Sequence, residues 1–169
     1  MKISMVVAMD EKGGIGKNHR IPWHLRDDLI RLKKLTVGNI VILGRKTYDS
    51  MASYYDISGR TMPGKMYLVI TREKNYIPSR DNVKPVSSVD EAITFARRDL
   101  AKNGEVFIIG GGQIFKQSMH FADKIYLTIV EGDFNCDTFF PDYADFKNKI
   151  SEKEGESEDH KYKFLELER

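Results

Sequence analysis

This chain of 169 residues contains several strand-length apolar runs separated by segments with helical patterning, and the alternation constrains its fold more than any other feature. Most of the runs are apolar throughout, which is typical of strands buried on both faces of a sheet. Strands that alternate with helices favour a mainly parallel sheet covered on both faces. The expected strands span residues 3–9, 39–44, 66–71, 83–86, 105–109 and 124–131. The sequence therefore predicts an α/β fold.

Four helices are expected between these strands. The first begins near Leu25, and the second is short, spanning residues 45–51 before an irregular loop at residues 52–64. The third starts at the capping box Ser88-Val89-Asp90-Glu91 and continues for about four turns, and the fourth follows Gly112.

The C-terminal part, from residue 145, lacks helical patterning. It predicts two strands at an antiparallel edge of the sheet, joined by a charged turn around residues 154–157. Because no repeat or linker interrupts the chain, we expect a single domain over residues 1–169.

Composition narrows the class of protein. The formal net charge is +2 and no run of five or six like charges occurs, so we expect neither a nucleic-acid nor a membrane partner. Cys136 is the only cysteine, which excludes an internal disulfide and fits a reducing compartment. The apolar start stops at Asp10 without a small-residue cleavage site, so a buried strand is expected there rather than a signal peptide. These features predict a cytoplasmic protein.

A carboxylate lies within the apolar stripe of the first helix. Apolar residues recur there at three- and four-residue steps, as on one buried helix face, and they are Leu25, Leu29, Leu32 and Leu35. Asp28 falls inside this stripe, whereas Asp27 is expected on a solvated face, in an ion pair with Arg31. Burial would raise the pKa of Asp28, as an enzyme needs if it must deliver a proton near neutral pH. The alternative, that Asp28 caps a nearby backbone amide, is equally open on local evidence.

Two junctions between a strand and a helix have features suited to phosphate. At residues 109–113 glycines let a ligand approach the backbone, and the helix start beyond them offers amide groups to an anion. At residues 44–47 another helix start adds two cations and a hydroxyl. Neither segment matches a standard phosphate motif, and a plain tight turn stays open for the triple glycine. The cations Arg45, Lys46 and Arg72, which follow strand ends, would suit a 2′-phosphate and hence NADP rather than NAD.

No metal or nucleophile site is expected. The four histidines show no ligand spacing, and Cys136 has no neighbouring histidine, so a half-buried thiol is its expected role. Trp23 precedes the first helix, and either a packing or a functional role is open for it.

Six short motifs follow one another along nearly the whole chain. They are Pro22-Trp23-x-Leu25-x-x-Asp28-Leu29, Gly44-Arg45-x-Thr47, Pro63-Gly64, Ile109-Gly110-Gly111-Gly112, Tyr126-Leu127-Thr128 and Asp137-Thr138-x-Phe140-Pro141. In this order they resemble the motifs of the dihydrofolate reductase family. The resemblance implies a central eight-stranded, mostly parallel sheet with an antiparallel C-terminal edge and four flanking helices. It also implies a monomer that reduces 7,8-dihydrofolate to tetrahydrofolate with NADPH, in one-carbon metabolism.

The resemblance also implies roles for individual residues. Asp28 would hold the pterin ring by N3 and the 2-amino group, Thr128 would bond Asp28, and Trp23 would hold a structural water. The other implied substrate-binding residues are Val6, Val7, Ala8, Leu29, Leu32, Met51, Lys65 and Ile109. The implied cofactor-binding residues are Ala8, Ile15, Gly16, Ile21, Gly44, Arg45, Lys46, Thr47, Thr71, Arg72, Ile109, Gly110, Gly111, Gly112, Gln113 and Phe115. Residues 13–21 would form a mobile flap over the nicotinamide.

Three departures from the family pattern bear on the binding of substrate or cofactor. Lys65 stands where an arginine normally grips the substrate's α-carboxylate, and lysine keeps the charge but loses the bidentate fork. Phe115 replaces a frequent tyrosine, and Leu32 replaces a common phenylalanine. Two alternatives therefore stay open: a pterin or riboflavin-pathway reductase of the same fold, and a non-catalytic nucleotide-binding protein.

Overall fold

The computed structural model describes residues 1–169 and confirms the predicted α/β architecture. The strands are β1 (Lys2–Asp10), β2 (Gly14–Gly16), β3 (Ile40–Gly44), β4 (Met66–Ile70), β5 (Val83–Val86), β6 (Glu105–Ile108), β7 (Lys124–Val130), β8 (Thr138–Phe139), β9 (Asn148–Ser157) and β10 (His160–Glu168). The helices are α1 (Arg26–Thr36), α2 (Arg45–Ser58), α3 (Val89–Asp99) and α4 (Gly112–Ser118), with a 3-10 turn at Met119–Phe121. Eight strands form one sheet in the order β5-β4-β3-β6-β1-β7-β10-β9, and β2 pairs with β8 separately. All pairs within the sheet are parallel except those of β10 with β7 and β9.

Two helices cover each face of the sheet. On one face, α1 packs over Val6 and Phe107, and α2 packs over Val41 and Leu43. On the other face, α3 and α4 contribute to the largest core cluster, which contains Met5 and the other side chains of the central strands that point away from α1. The apolar runs of β1, β3 and β6 are therefore buried on both sides, as the absence of alternation in the sequence predicts.

Helix α2 is longer than the sequence analysis predicts. It continues through residues expected to be an irregular loop and ends at Ser58, where Gly59 adopts a left-handed conformation with φ of 66°. The physical reason is an apolar stripe in which Tyr48, Ala52 and Tyr55 succeed one another at helical spacing and pack against β3 and β4.

The turn of the C-terminal hairpin also lies further along the chain than expected. Glu158 and Asp159, with φ of 52° and 65°, form the turn, and residues 154–157 belong to β9. Both positive φ values match the type I′ geometry that suits a two-residue hairpin. Gly155 lies within β9 opposite Tyr162. A Cβ at this position would lie 2.3 Å from the Tyr162 hydroxyl, so glycine leaves room for that ring.

Both edges of the sheet carry features that discourage pairing with another strand. The edge strand β5 contains Pro85, which cannot donate a backbone hydrogen bond, and the edge strand β9 is exposed and rich in lysine and glutamate. None of the helices has the length and apolar character needed to cross a membrane.

Candidate active site

Asp28 lies in the first turn of α1 and faces the sheet. Its Oδ1 accepts a hydrogen bond of 2.6 Å from the hydroxyl of Thr128, which lies on β7. Burial raises the pKa of Asp28 above its usual value, although the Thr128 hydrogen bond and the charge of Arg31 act in the opposite direction. The alternative role as a helix cap does not apply, because the N-cap position is Leu25 and receives no side-chain cap. A carboxylate of raised pKa on the sheet side of α1 is what the sequence predicts.

The prediction of an ion pair between Asp27 and Arg31 is wrong. Arg31 reaches the sheet, where it donates to the carbonyl oxygens of Leu127 and Leu165, each at 3.1 Å. Asp27 accepts a hydrogen bond of 2.5 Å from the hydroxyl of Tyr162. Both side chains point inward because β7 and β10 extend beneath their side of α1, whereas Arg26, Leu29 and Ile30 form the exposed side of this part of the helix.

Apolar side chains surround this acid. Ala8 is the register partner of Thr128, and Val6 packs beneath α1 with Leu32 at its border. Val7 points to the opposite face, into the core under α3 and α4, so its backbone alone is available on the α1 side. Ile109 contacts both the cluster under α1 and the cluster under α2, which places it between the two helices.

The two helices leave apolar surface free along this gap. Leu29 is 37% exposed rather than buried as the helix stripe predicts, and Leu32 and Met51 are half-buried. Leu29 is exposed because the sheet supports only the side of α1 that carries Asp28 and Leu32. Apolar side chains of α1 and α2 thus remain available to a flat, apolar ligand whose polar edge meets Asp28.

Trp23 packs as an anchor ahead of α1. It is 8% exposed, contacts the Phe134 ring edge-to-face at 5.1 Å, and belongs to a cluster with Leu25, Val130 and Tyr162. This cluster fixes where α1 begins and therefore where Asp28 is held.

The two glycine-containing junctions lie side by side, since β3 and β6 are neighbours. The amide of Gly44 donates to the carbonyl of Gly110 at 2.8 Å, and the Gly110–Gly111 peptide bond is cis. A Cβ on Gly111 would lie 3.2 Å from Thr47 Oγ1, and one on Gly112 would lie 2.8 Å from a methyl group of Thr138. The backbone is therefore exposed to close approach at the point where both junctions meet.

The start of α2 suits an anion. Its N-cap Gly44 makes no side-chain cap, and its first turn contains no acidic residue. Arg45 is bound to Asp49 at 2.9 Å and to Glu73 at 3.5 Å, while Lys46 is exposed. A groove of about 510 Å³ beside this region is lined by Thr71, Arg72, Glu73, Lys74, Pro85, Val86, Ser87 and Glu91. Of the predicted phosphate cations, Arg72 lines this groove and Arg45 contacts Glu73 at its border, whereas Lys46 is not among the lining residues.

The loop after β1 is held by a residue that the sequence analysis missed. Asp10 is fully buried, and it accepts hydrogen bonds from the backbone amides of Lys12, Gly14 and Phe134 at 2.8–3.0 Å. Burial raises the pKa of Asp10, but these amides outweigh burial and hold it below the usual value. The signal in the sequence was an acid at the end of an apolar strand, directly before a glycine-rich loop.

The remaining predicted residues lie around this centre. Ile15 packs on the core, Gly16 pairs with Thr138 in the small sheet, and Ile21 is 62% exposed. Phe115 is buried and packs edge-to-face on Phe140 at 5.1 Å, and Gln113 is exposed.

Lys65 is not brought together with Asp28. Its backbone amide bonds the carbonyl of Asn39, just beyond the C-terminal end of α1. Its side chain is 60% exposed, with Nζ 3.8 Å from a carboxylate oxygen of Asp99 at the end of α3.

Fold and site together define the class: an α/β protein in which a helix start suited to an anion lies beside an apolar site that contains one acid of raised pKa. Comparisons with known proteins specify it further. A family model described as dihydrofolate reductase matches residues 2–169. Dihydrofolate reductase of Buchnera aphidicola is 39% identical over 160 residues, covering 91% of this chain and 90% of that protein. Dihydrofolate reductase of Staphylococcus haemolyticus is 35% identical over 166 residues, covering 97% and 92%.

A solved structure agrees with these relatives. Dihydrofolate reductase from Enterococcus faecalis, complexed with NADP(H) and RAB-propyl, has a TM-score of 0.83 and 28% identity, covering 99% of this chain and 96% of that one. The chain therefore belongs to the dihydrofolate reductase family, and it is an oxidoreductase.

Proposed function

We propose that this protein reduces 7,8-dihydrofolate to 5,6,7,8-tetrahydrofolate, with NADPH as the hydride donor. In the balanced reaction C6 of the pterin gains a hydride, N5 gains a proton, and NADPH becomes NADP⁺. The observation that carries the proposal is the hydrogen bond between Asp28 on α1 and Thr128 on β7. It lies beside the apolar side chains between α1 and α2, and β7 belongs to the same sheet as the two glycine junctions.

The carboxylate of Asp28 has an oxygen to spare for a substrate. Thr128 occupies Oδ1, so Oδ2 can accept from the N3 and 2-amino groups of a pterin. Leu29, Leu32 and Met51 would pack on the ring system from the two helices, and Ile109 would form the floor between them. Charge-assisted hydrogen bonds in an apolar setting give such a site both affinity and orientation.

The proton at N5 is supplied through water rather than by direct contact with Asp28. Asp28 accepts a hydrogen bond from Thr128 and would bind N3 and the 2-amino group, on the edge of the pterin away from N5. Its role is therefore to polarise the ring. The segment 13–21 would control access of water to N5 when it closes. Asp10 anchors the start of this segment through its backbone amides.

The cofactor half of the site is suited to NADPH because its glycines leave the backbone open to a ligand. A side chain at Gly111 or Gly112 would contact Thr47 or Thr138, so glycine keeps this backbone accessible. Gly44, Thr47 and residues 110–112 would hold the pyrophosphate there. Arg45, Lys46, Thr71 and Arg72 would bind the adenosine end and its 2′-phosphate. Bound there, NADPH supplies the hydride, while the chain orients it and excludes water.

The test compares two substrates. Loss of NADPH absorbance should be fast with dihydrofolate and slower with a dihydropterin that lacks the glutamate tail. Absence of turnover with both substrates would contradict the proposal and support a non-catalytic nucleotide-binding protein.

A second candidate is a reductase of tail-less pterins on the same fold. The observation in its favour is Lys65, which offers one exposed ammonium, already near Asp99, in place of a bidentate group. Faster turnover of the tail-less pterin would select this candidate.

We also propose a monomer in the cytoplasm. Both edges of the sheet are protected, by Pro85 in β5 and by charges along β9, which supports a single copy. A free, half-buried Cys136 is compatible with a reducing compartment. Gel filtration with light scattering measures the mass of the particle directly.

A further inference from the structure

Arg31 occupies an unusual place for a cation on a helix. It lies one turn after Asp28 and is held against β7 and β10 by the two carbonyl oxygens described above. Its guanidinium also lies 4.5 Å from the centroid of the Phe164 ring, which is the register partner of Thr128. Because it is fixed from three sides, this side chain has one orientation rather than the freedom of a surface arginine.

A third hydrogen bond connects Arg31 to the site. Nη1 lies 3.3 Å from Thr128 Oγ1, and the same Oγ1 lies 2.6 Å from Asp28 Oδ1. A guanidinium can only donate, and a threonine hydroxyl has a single hydrogen. Thr128 therefore accepts from Arg31, and its own hydrogen points at Asp28. When Asp28 is ionised, the order of donation is therefore Arg31 to Thr128 to Asp28, with Oδ1 as the accepting oxygen.

We propose that Arg31 is a positioning residue of this site: it orients the Thr128 hydroxyl toward Asp28, and its charge sets the pH at which the carboxyl group that faces the substrate gives up its proton. The significance of this arrangement for catalysis rests on the proposed function. The arrangement itself is a property of the free protein.

The groups around this pair come from α1, β7 and β10. Asp28 faces Arg31 on its own helix, Thr128 on β7, and Tyr162 on β10, whose pKa is raised to about 12 by burial and by Asp27, so it is neutral.

Arg31 also faces Tyr126 on β7 and Glu166 on β10. Glu166 is itself paired with Lys124 at 2.6 Å, so its charge is already matched. Arg31 is the one cation that acts on Asp28, and burial alone would favour the protonated acid.

Removing the charge of Arg31 should make Asp28 easier to protonate. An arginine beside an aspartate lowers the acid's pKa by roughly 1–3 units, so Arg31→Met should raise it by about 1 unit or more. Reduction of dihydrofolate needs a proton, and kcat/KM should fall as pH rises through the titration of the site. In Arg31→Met this fall should therefore begin at higher pH.

The first experiment measures kcat/KM for dihydrofolate against pH. The expected result is a midpoint shifted upward in Arg31→Met, nearly unshifted in Arg31→Lys, and unshifted in the matched control Lys34→Met, which removes an exposed cation from the same helix. Arg31→Gln keeps a donor but loses the charge, so it should shift like methionine and serves if Arg31→Met does not fold. A profile that is lowered uniformly, with no change of midpoint, would show a merely structural role and overturn the proposal.

The second experiment needs no turnover. Carbon-13 NMR of the aspartate carboxyl groups in the free protein follows the titration of Asp28 directly, with Asp28→Asn to assign the resonance. An upward shift in Arg31→Met supports the coupling even if the wild type does not reduce dihydrofolate, in which case the proposed function alone would fail. An unmoved Asp28 titration would overturn the inference, whatever the activity.

Discussion

Replacing Asp28 with asparagine tests the centre of the proposed mechanism with little change of shape. Asparagine retains an oxygen that can accept the Thr128 hydrogen bond of 2.6 Å, so the position of the side chain should persist. What is lost is the negative charge and with it the charge-assisted bonds to two donors of the pterin. Each such bond is worth about 1.5–3 kcal/mol. The combined loss of about 3–6 kcal/mol corresponds to roughly 10²–10⁴-fold in turnover at neutral pH.

The pH dependence of that loss is more diagnostic than its size. Burial raises the pKa of Asp28, so this carboxyl group keeps its proton to a higher pH than an exposed aspartate would. In acid the substrate can be protonated from solvent, so the deficit of Asp28→Asn should shrink as pH falls. Steady-state NADPH oxidation with dihydrofolate, measured across pH, gives this ratio directly.

Asp27→Asn is the matched control, since it is the same substitution at the adjacent residue. Asp27 accepts from Tyr162 and does not bond Thr128, and an asparagine oxygen can still accept that bond. We expect activity within a few-fold of wild type. Equal damage from both substitutions, or a deficit of Asp28→Asn that does not vary with pH, would refute the reasoning.

The parts of the fold that follow from local patterning were predictable. Apolar runs that lack polar alternation predict the buried strands. The spacing of Asp28 from Leu25 and Leu32 predicts its position on the sheet side of α1. The extent of α2 was missed because the stripe of Tyr48, Ala52 and Tyr55 consists of one small and two amphipathic side chains. Such residues lie equally well in a loop, and only packing against β3 and β4 decides between the two.

Contacts between distant segments were the harder part of the site. The inward position of Arg31 depends on β10 lying beside β7, a pairing of residues more than thirty positions apart. Its spacing of three from Asp28 was the available signal, since it places both on adjoining parts of one helix face. A charged side chain there was assigned to solvent by its residue type, whereas carbonyl oxygens of two strands and an aromatic ring accommodate it.

Three further substitutions test other parts of the site. Arg45→Ala should reduce the preference for NADPH over NADH roughly tenfold by removing a contact to the 2′-phosphate, and KM values for both cofactors measure this; an unchanged ratio would contradict the assignment. Asp10→Asn should lower the free energy of unfolding by roughly 1.5–3 kcal/mol at neutral pH. Since the pKa of Asp10 is held below 3.8, this contribution is complete above that pH and is lost as pH falls, so urea denaturation should show the two proteins converging in acid. Lys65→Arg should lower KM for dihydrofolate by roughly 5–30-fold, equivalent to about 1–2 kcal/mol, because a guanidinium can bind the tail carboxylate with two parallel hydrogen bonds. The change should leave kcat nearly unmoved, because the tail is remote from the reacting carbon and binds ground and transition states alike. It should also leave KM for the tail-less pterin unchanged. An unchanged KM for dihydrofolate, together with faster turnover of the tail-less pterin, would identify a pterin reductase. In such an enzyme the exposed Lys65 ammonium near Asp99 would bind no part of the substrate.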